Sequence, residues 1–304
     1  KLHTATGANP TLNVNGLGAK AMYANATDRF DGDAGSVYTF VYDGTNFILA
    51  SGGGWVKHTF NDYVFGNSMY RVTGSITALS DPSTGLSGTS IGGYALFAGG
   101  WYSSGGYNNY LSTVNAYNNS LTRSSPSSLS VGRLGMASAT FNNYAWFGGG
   151  HRYTPSGSDP TYYSNVDIYN PSLSRFTFNV DTARSYMAAA RAGSSYLLFA
   201  GGYYTGTVFN TVSVFNTSNT LSSAAALGTA RSQLTGASVG NYAIFAGGDT
   251  SPSGSSATAA VDAYSASLVK STPISLSVAR WGAVGASIGN YALIAGGNTA
   301  SSTF

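Results

Sequence analysis

The chain has 304 residues, enough for two ordinary domains, and only 8% of them are charged. All 11 acidic residues are Asp, Glu is absent, Lys occurs 4 times, and Gly and Tyr reach 40 and 22, so the residues that favour helices on exposed faces are mostly missing. This argues against a helical protein and for an all-β one, while a net charge of +3 from scattered Lys and Arg offers no basic stripe and no nucleic-acid partner.

Residues 1–55 read as short strands in TLNVNG, KAMYA, VYTFVY and NFILAS, with turns at Asn15-Gly16 and Asp43-Gly44. TLNVNGLGAKAMY followed by VYTFVYDGTNFILASGG resembles a small β-module that recurs in tail-fibre and baseplate-associated proteins of bacteriophages and related prophage particles. The resemblance implies an extracellular virion protein, held to other tail or baseplate proteins through residues 1–55. Asp28, Asp31 and Asp33 of DRFDGDAG are spaced like calcium ligands, but an EF-hand loop needs a Glu, so a solvated turn and no metal are expected. Residues 56–71 read as a linker or first strand.

From residue 72 the sequence repeats. Five segments read alike, YALFAGG from Tyr94, YAWFGGG from Tyr144, YLLFAGG from Tyr196, YAIFAGG from Tyr242 and YALIAGG from Tyr291, with steps of 50, 52, 46 and 49. Between them stand STVNAY ending at Tyr117, SNVDIY at Tyr169, NTVSVF at Phe215 and AAVDAY at Tyr264. An Arg precedes each later block's Tyr by 11 or 12 residues, at Arg133, Arg184, Arg231 and Arg280, and Ser83 takes that place in the first. Each unit reads as four strands: a small-residue run such as GMASATF, the apolar YAxFAGG run, the VxxY element and a more polar outer strand. The Gly pair closes the second strand where backbones approach closely or φ is positive.

Such a four-stranded unit resembles the kelch repeat of β-propellers. The resemblance covers residues 72–304 and implies a ring of five or six blades. The kelch Trp of the fourth strand is absent here, and Phe215 stands where the other units have Tyr. The chain stops at Phe304 before a fifth VxxY element, so the ring is expected either to continue past this chain or to be completed by an early segment. Tyr70 to Ser80 alternates suitably for a closing fourth strand. Lys1 follows neither Met nor a signal-peptide pattern, as in a processed or partial chain.

The catalytic inventory is thin. Asp167 and Asp262 recur in the VxxY element, but Asn115 and Ser213 hold the same position, so no glycosidase pair is read there. His3, His58 and His151 do not form a copper set, no G-x-S-x-G elbow with a matched His occurs, and the sialidase Ser-x-Asp-x-Gly-x-Thr-Trp box is missing. With no Cys there is no thiolate nucleophile and no disulfide. No enzyme and no cofactor are expected. No apolar run approaches the roughly 20 residues of a membrane helix, so no membrane insertion is expected either.

Binding chemistry is richer. Alternating strand direction puts the loops between second and third strands on the same face as the junctions that carry the Arg residues. Three of those loops, WYSSGGYNNY, HRYTPSGSDPTYY and YYTGTVF, are aromatic, and sugars suit rings flanked by neutral hydrogen-bonding groups. The candidate contacts are Trp101, Tyr102, Tyr107, Tyr110, His151, Arg152, Tyr153, Tyr162, Tyr163, Tyr203 and Tyr204. The loop DTSPSGSSATAA has no ring and contributes less. Arg133, Arg184, Arg231 and Arg280 read two ways: recognition of an acidic ligand, as arginines at similar positions of kelch domains do, or structural ties to backbone carbonyls. Trp146 and Trp281, inside apolar elements, are expected in the core or between blades.

Together these features lead to a non-enzymatic tail-fibre, receptor-binding protein of a bacteriophage or tail-like particle, whose propeller rim attaches it to host cell-surface polysaccharide. The alternative is a structural or decoration protein of the virion whose propeller makes protein contacts, and a glycan depolymerase comes last. Tail fibres are often trimeric, yet no heptad pattern marks a coiled coil here, so homo-oligomerisation stays open.

Overall fold

The computed structural model describes the strands Thr11–Leu12, Lys20–Tyr23, Tyr38–Tyr42 and Phe47–Gly52, and residues 76–154, 160–251 and 255–299. The chain divides into two units, Lys1–Ser75 and Ile76–Phe304. In the first unit the four strands form one sheet in which Phe47–Gly52 lies between Lys20–Tyr23, its parallel neighbour, and Tyr38–Tyr42, its antiparallel one. Asp28, Asp31, Asp33, both expected turns, His3, His58 and the stretch 56–71 lie outside the described residues.

The second unit is all β, with no helix among the described residues. Ser87–Ile91, Tyr94–Ala98, Val114–Asn118 and Arg123–Ser124 make the first four-stranded antiparallel sheet, in that order from one edge to the other. The second is Ala137–Phe141, Tyr144–Gly148, Asn165–Tyr169 and Arg175–Asn179. Ala188–Ala192, Tyr196–Ala200, Val212–Asn216 and Leu221–Ser223 make the third, and Thr235–Val239, Tyr242–Ala246, Val261–Tyr264 and Lys270–Ser271 the fourth. A fifth sheet is described as two strands, Val284–Ile288 and Tyr291–Ala295.

First strands of successive sheets lie side by side, and this explains their small residues. Ser87 Oγ donates to Met136 O (2.8 Å), Ser138 Oγ to Gly88 O (2.8 Å), and Arg191 N to Ser238 Oγ (2.7 Å), so hydroxyls join neighbouring sheets where larger side chains would hold them apart. In the second, third and fourth sheets the second and third strands are mostly buried on both faces and build the core, with Trp146, Leu198, Val214 and Tyr264 fully covered, as is Leu96 of the first sheet. Phe147, Phe199 and Phe245 recur at one register position and are buried, each such ring contributing about 1.5–3 kcal/mol. Their counterpart in the first sheet, Phe97, is 37% exposed, and in the fifth sheet Val284, Ile288, Tyr291 and Leu293 are exposed as well.

The Gly pairs act as a stitch between sheets. The second Gly of one sheet donates its N–H to the carbonyl of the next sheet's Arg: Gly100 to Arg133, Gly150 to Arg184, Gly202 to Arg231 (each 3.0 Å) and Gly248 to Arg280 (2.8 Å). The first Gly of the pair must also lack a side chain. At Gly99, where φ is +70°, a Cβ would stand 2.5 Å from Arg133 O, and Gly247 repeats this against Arg280 O at 2.5 Å.

Ile76–Ser80 is not part of a strand, contrary to the sequence expectation for Tyr70–Ser80. Side chains of the first sheet take up its backbone instead: Tyr117 Oη donates to Thr77 O (2.8 Å), Arg123 Nη1 to Ala78 O (2.6 Å), and Asn115 Oδ1 accepts from Ser80 N (3.1 Å). Tyr169 and Tyr264 do the same to Ser127 O (2.8 Å) and Ala225 O (2.7 Å), which marks 76–80 as the segment leading into a first strand. Residues 70–75 lie outside the described residues.

Candidate functional site

Beyond each of the first three Gly pairs the chain turns out of its sheet and folds back as a two-stranded ribbon. The ribbons are Trp101–Ser104 with Tyr107–Tyr110, His151–Tyr153 with Pro160–Tyr162, and Tyr203–Tyr204 with Thr207–Val208. In the first, Gly105 and Gly106 turn with φ of 60° and 80°, the all-positive pair of a type I′ hairpin. Each ribbon is tied at its base to the residue after the Arg position, through the bridges Thr84↔Trp101, Leu134↔His151 and Ser185↔Tyr203. Ribbons and Arg junctions therefore share one rim, held on rigid sheets.

The rim gathers rings. Trp101 stacks on Tyr110 at 6.4 Å with an interplanar angle of 23°, Tyr102 is half-buried beside them, and Tyr107 stands exposed near the turn. Across the second and third ribbons, Tyr162 lies 5.9 Å from Tyr203 and 4.9 Å from Tyr204. Arg152 is exposed with its guanidinium 5.9 Å from the Tyr163 ring centroid. Burial pushes the Tyr162 phenol up to about 12, so it remains a neutral hydroxyl.

His151 corrects the sequence reading. It is 2% exposed, enclosed by Tyr153 (5.3 Å), Tyr162 (5.6 Å) and Tyr186 (5.2 Å), and its Nδ1 has no hydrogen-bond partner. Burial lowers its pKa to about 4 and leaves the ring uncharged at neutral pH. The bridge to Leu134 pins its backbone at the base of the ribbon, beneath the surface that its loop sequence suggested. Tyr186, two residues after Arg184, joins the cluster from the adjoining junction; the sequence reading did not select it, although it is an aromatic residue on a segment already assigned to that face.

Three of the four Arg side chains are fully buried. Arg133 donates from Nε to Gly149 O (2.7 Å), from Nη1 to Val131 O (3.0 Å), and from Nη2 to Asp167 Oδ2 (2.9 Å). Arg184 Nε reaches Gly201 O (2.8 Å), its Nη1 reaches Asp181 Oδ1 (2.9 Å), and its Nη2 reaches Ser213 Oγ (2.7 Å). Arg231 pairs with Asp262 Oδ2 (2.9 Å) and donates to Phe245 O (3.2 Å). Arg280, half-buried, donates to Gly296 O (2.8 Å). These contacts place the Arg groups below the rim, on carbonyls at the ends of the second strands. Burial lowers the pKa of Arg133 and Arg184 while their Asp partners oppose it.

Asp167 and Asp262 belong to separate sheets and are consumed locally. Asp167 also accepts from Ser130 N (3.1 Å), Thr177 Oγ1 (2.9 Å) and Arg175 Nη1 (3.3 Å), and Asp262 from Gly228 N (3.1 Å) and Lys270 Nζ (3.1 Å). The position anchors the incoming linker, which is why Asn115 can hold it too. Trp146 is fully buried and Trp281 half-buried. Among the described residues no three His, Cys, Asp or Glu side chains are grouped to hold a metal, and no helix is long and apolar enough to cross a membrane.

No family model and no curated protein matches the chain. A solved structure described as the structure of YjhT superposes with a TM-score of 0.62, covering 75% of this chain and 81% of that one at 13% identity. This likeness speaks to the fold alone. With successive four-stranded antiparallel sheets joined through their first strands, the second unit is consistent with a β-propeller.

Proposed function

We propose that this chain is a receptor-binding component of a bacteriophage tail or tail-like particle, with a kelch-type propeller of five or six blades that attaches to host surface glycan without catalysis. The observation that carries the reading is the rim itself: aromatic ribbons pinned to rigid sheets, with half-exposed rings and neutral amides and hydroxyls around them. Rings stack on the apolar faces of sugars, and Ser, Thr and Asn side chains answer their hydroxyls. The setting comes from the sequence of residues 1–55, which resembles tail-fibre and baseplate-associated modules and would join the chain to other tail proteins. A pull-down of the chain on host cell-wall polysaccharide tests the reading. Retention that is lost in a Trp101→Ala, Tyr203→Ala double variant is expected, and no retention of the unaltered chain would sink it.

A second reading, a structural protein of the virion whose propeller makes protein contacts, rests on the same ribbons, because the exposed rings of Tyr107, Tyr153 and Tyr204 are of the kind that protein partners also cover. Finding the ribbons buried against another particle subunit would favour this role over host attachment.

A further inference from the structure

We infer that the rim takes uncharged glycan, built of hexose or N-acetylhexosamine units, in preference to glycan bearing carboxylate, sulfate or phosphate. This rests on the glycan-binding reading above and adds the class of sugar.

An anionic sugar in a shaped site calls for charge-assisted donors, above all guanidinium groups aimed outward. The rim has been emptied of them. Arg133, Arg184 and Arg231 are completely covered, and their guanidinium groups bond inward to Gly149 O, Gly201 O, Phe245 O and the carboxylates of Asp167, Asp181 and Asp262, while the Nε–H of Arg231 is buried without a partner. Arg280 turns to Gly296 O. His151 sits beneath the rings as a neutral imidazole.

In the three aromatic ribbon segments the sequence has a single cation, Arg152, placed over Tyr163, and the same segment carries Asp159. Asp181, whose side chain is 41% exposed, adds a partly open carboxylate at the junction before the third ribbon, where it would repel an anion. What the ribbons do present is neutral. Tyr107, Tyr153 and Tyr204 are exposed rings tipped with hydroxyls, and Asn108, Asn109 and Thr205 are accessible beside them. A surface of this kind gains from stacking and neutral hydrogen bonds, which salt hardly screens, and gains little from ligand charge.

The test uses the full chain on immobilised probes: neutral glucan and N-acetylglucosamine oligomers against polygalacturonate and sialylated oligosaccharides, in about 50 and about 500 mM NaCl. The expected result is binding to a neutral probe that changes less than about twofold with salt, at least about tenfold weaker binding to the acidic probes, and about tenfold loss of the neutral binding in Tyr204→Ala. Preference for an acidic probe, with affinity falling about tenfold in high salt, would overturn the uncharged-ligand inference and leave the glycan-binding reading standing. Absence of binding to every probe would overturn the glycan-binding reading and this inference with it.

Discussion

Replacing Arg133 by Met separates a structural arginine from a ligand-binding one. The substitution keeps the apolar stem and removes donors that serve Gly149 O at 2.7 Å, Val131 O at 3.0 Å and Asp167 Oδ2 at 2.9 Å from a side chain with no exposed surface. Breaking a buried ion pair by deleting one partner costs about 3–5 kcal/mol. Arg175, Thr177 and the Ser130 N–H stay on the carboxylate, which places the cost near the lower end, about 3 kcal/mol. For a domain of this size that corresponds to a Tm lower by roughly 6–12 °C. Denaturant titration of Arg133→Met, Asp167→Leu and the double variant measures it, and the double variant should be less destabilised than the sum of the two singles by about 2 kcal/mol. A loss below about 1 kcal/mol in Arg133→Met, with glycan binding abolished, would refute the reasoning and turn the guanidinium toward a ligand.

Further outcomes follow from the same geometry. Gly149→Ala should cost at least about 3 kcal/mol or prevent folding, because at φ +67° its Cβ meets Arg184 O and the Met187 thioether. Gly105→Ala, at φ +60° with open space around it, should cost only about 1–2 kcal/mol, and equal losses in chemical denaturation would contradict the stitch. His151 binds a proton more weakly folded, near 4, than its ordinary 6.5, so its share of stability is complete above about pH 6.5 and is lost as pH falls toward 4. The loss amounts to about 3 kcal/mol, and a His151→Phe variant should show a correspondingly flatter stability curve over that range. Asp181 is partly exposed, and although burial acts to raise its pKa, its bonds from Ser213 and Arg184 hold it low; stability from this group is present above its ordinary carboxylate pKa and fades as pH falls through the folded value, a contribution that Asp181→Asn should remove.

The repeat period made much of the second unit legible. Tyr94, Tyr144, Tyr196, Tyr242 and Tyr291 each open a second strand, since an apolar run ended by a Gly pair has few other places to go. The ribbons read as loops because Gly, Ser and Asn make up six of the ten residues of WYSSGGYNNY, yet its Gly-Gly pair between β-forming residues is a hairpin signal. The Arg residues stood at recognised positions, but one spacing serves an outward guanidinium and an inward one equally, and only the carbonyls of Gly149 and Gly201 decide between them. His151 misled because depth at a rim depends on the bridge to Leu134, a contact between residues distant in sequence. Ile76–Ser80 alternates like a strand, but Tyr117 and Arg123 take the backbone groups that a neighbouring strand would need.

The most direct test of the account is an array of host-envelope glycans probed with the intact chain and with its Trp101→Ala, Tyr203→Ala double variant, both first shown to be folded by their thermal transitions. The account predicts that the intact chain selects a set of glycans and that the double variant loses them while keeping its Tm within a few degrees. Glycan binding that persists unchanged in the folded double variant, or an intact chain that selects no glycan, would contradict it.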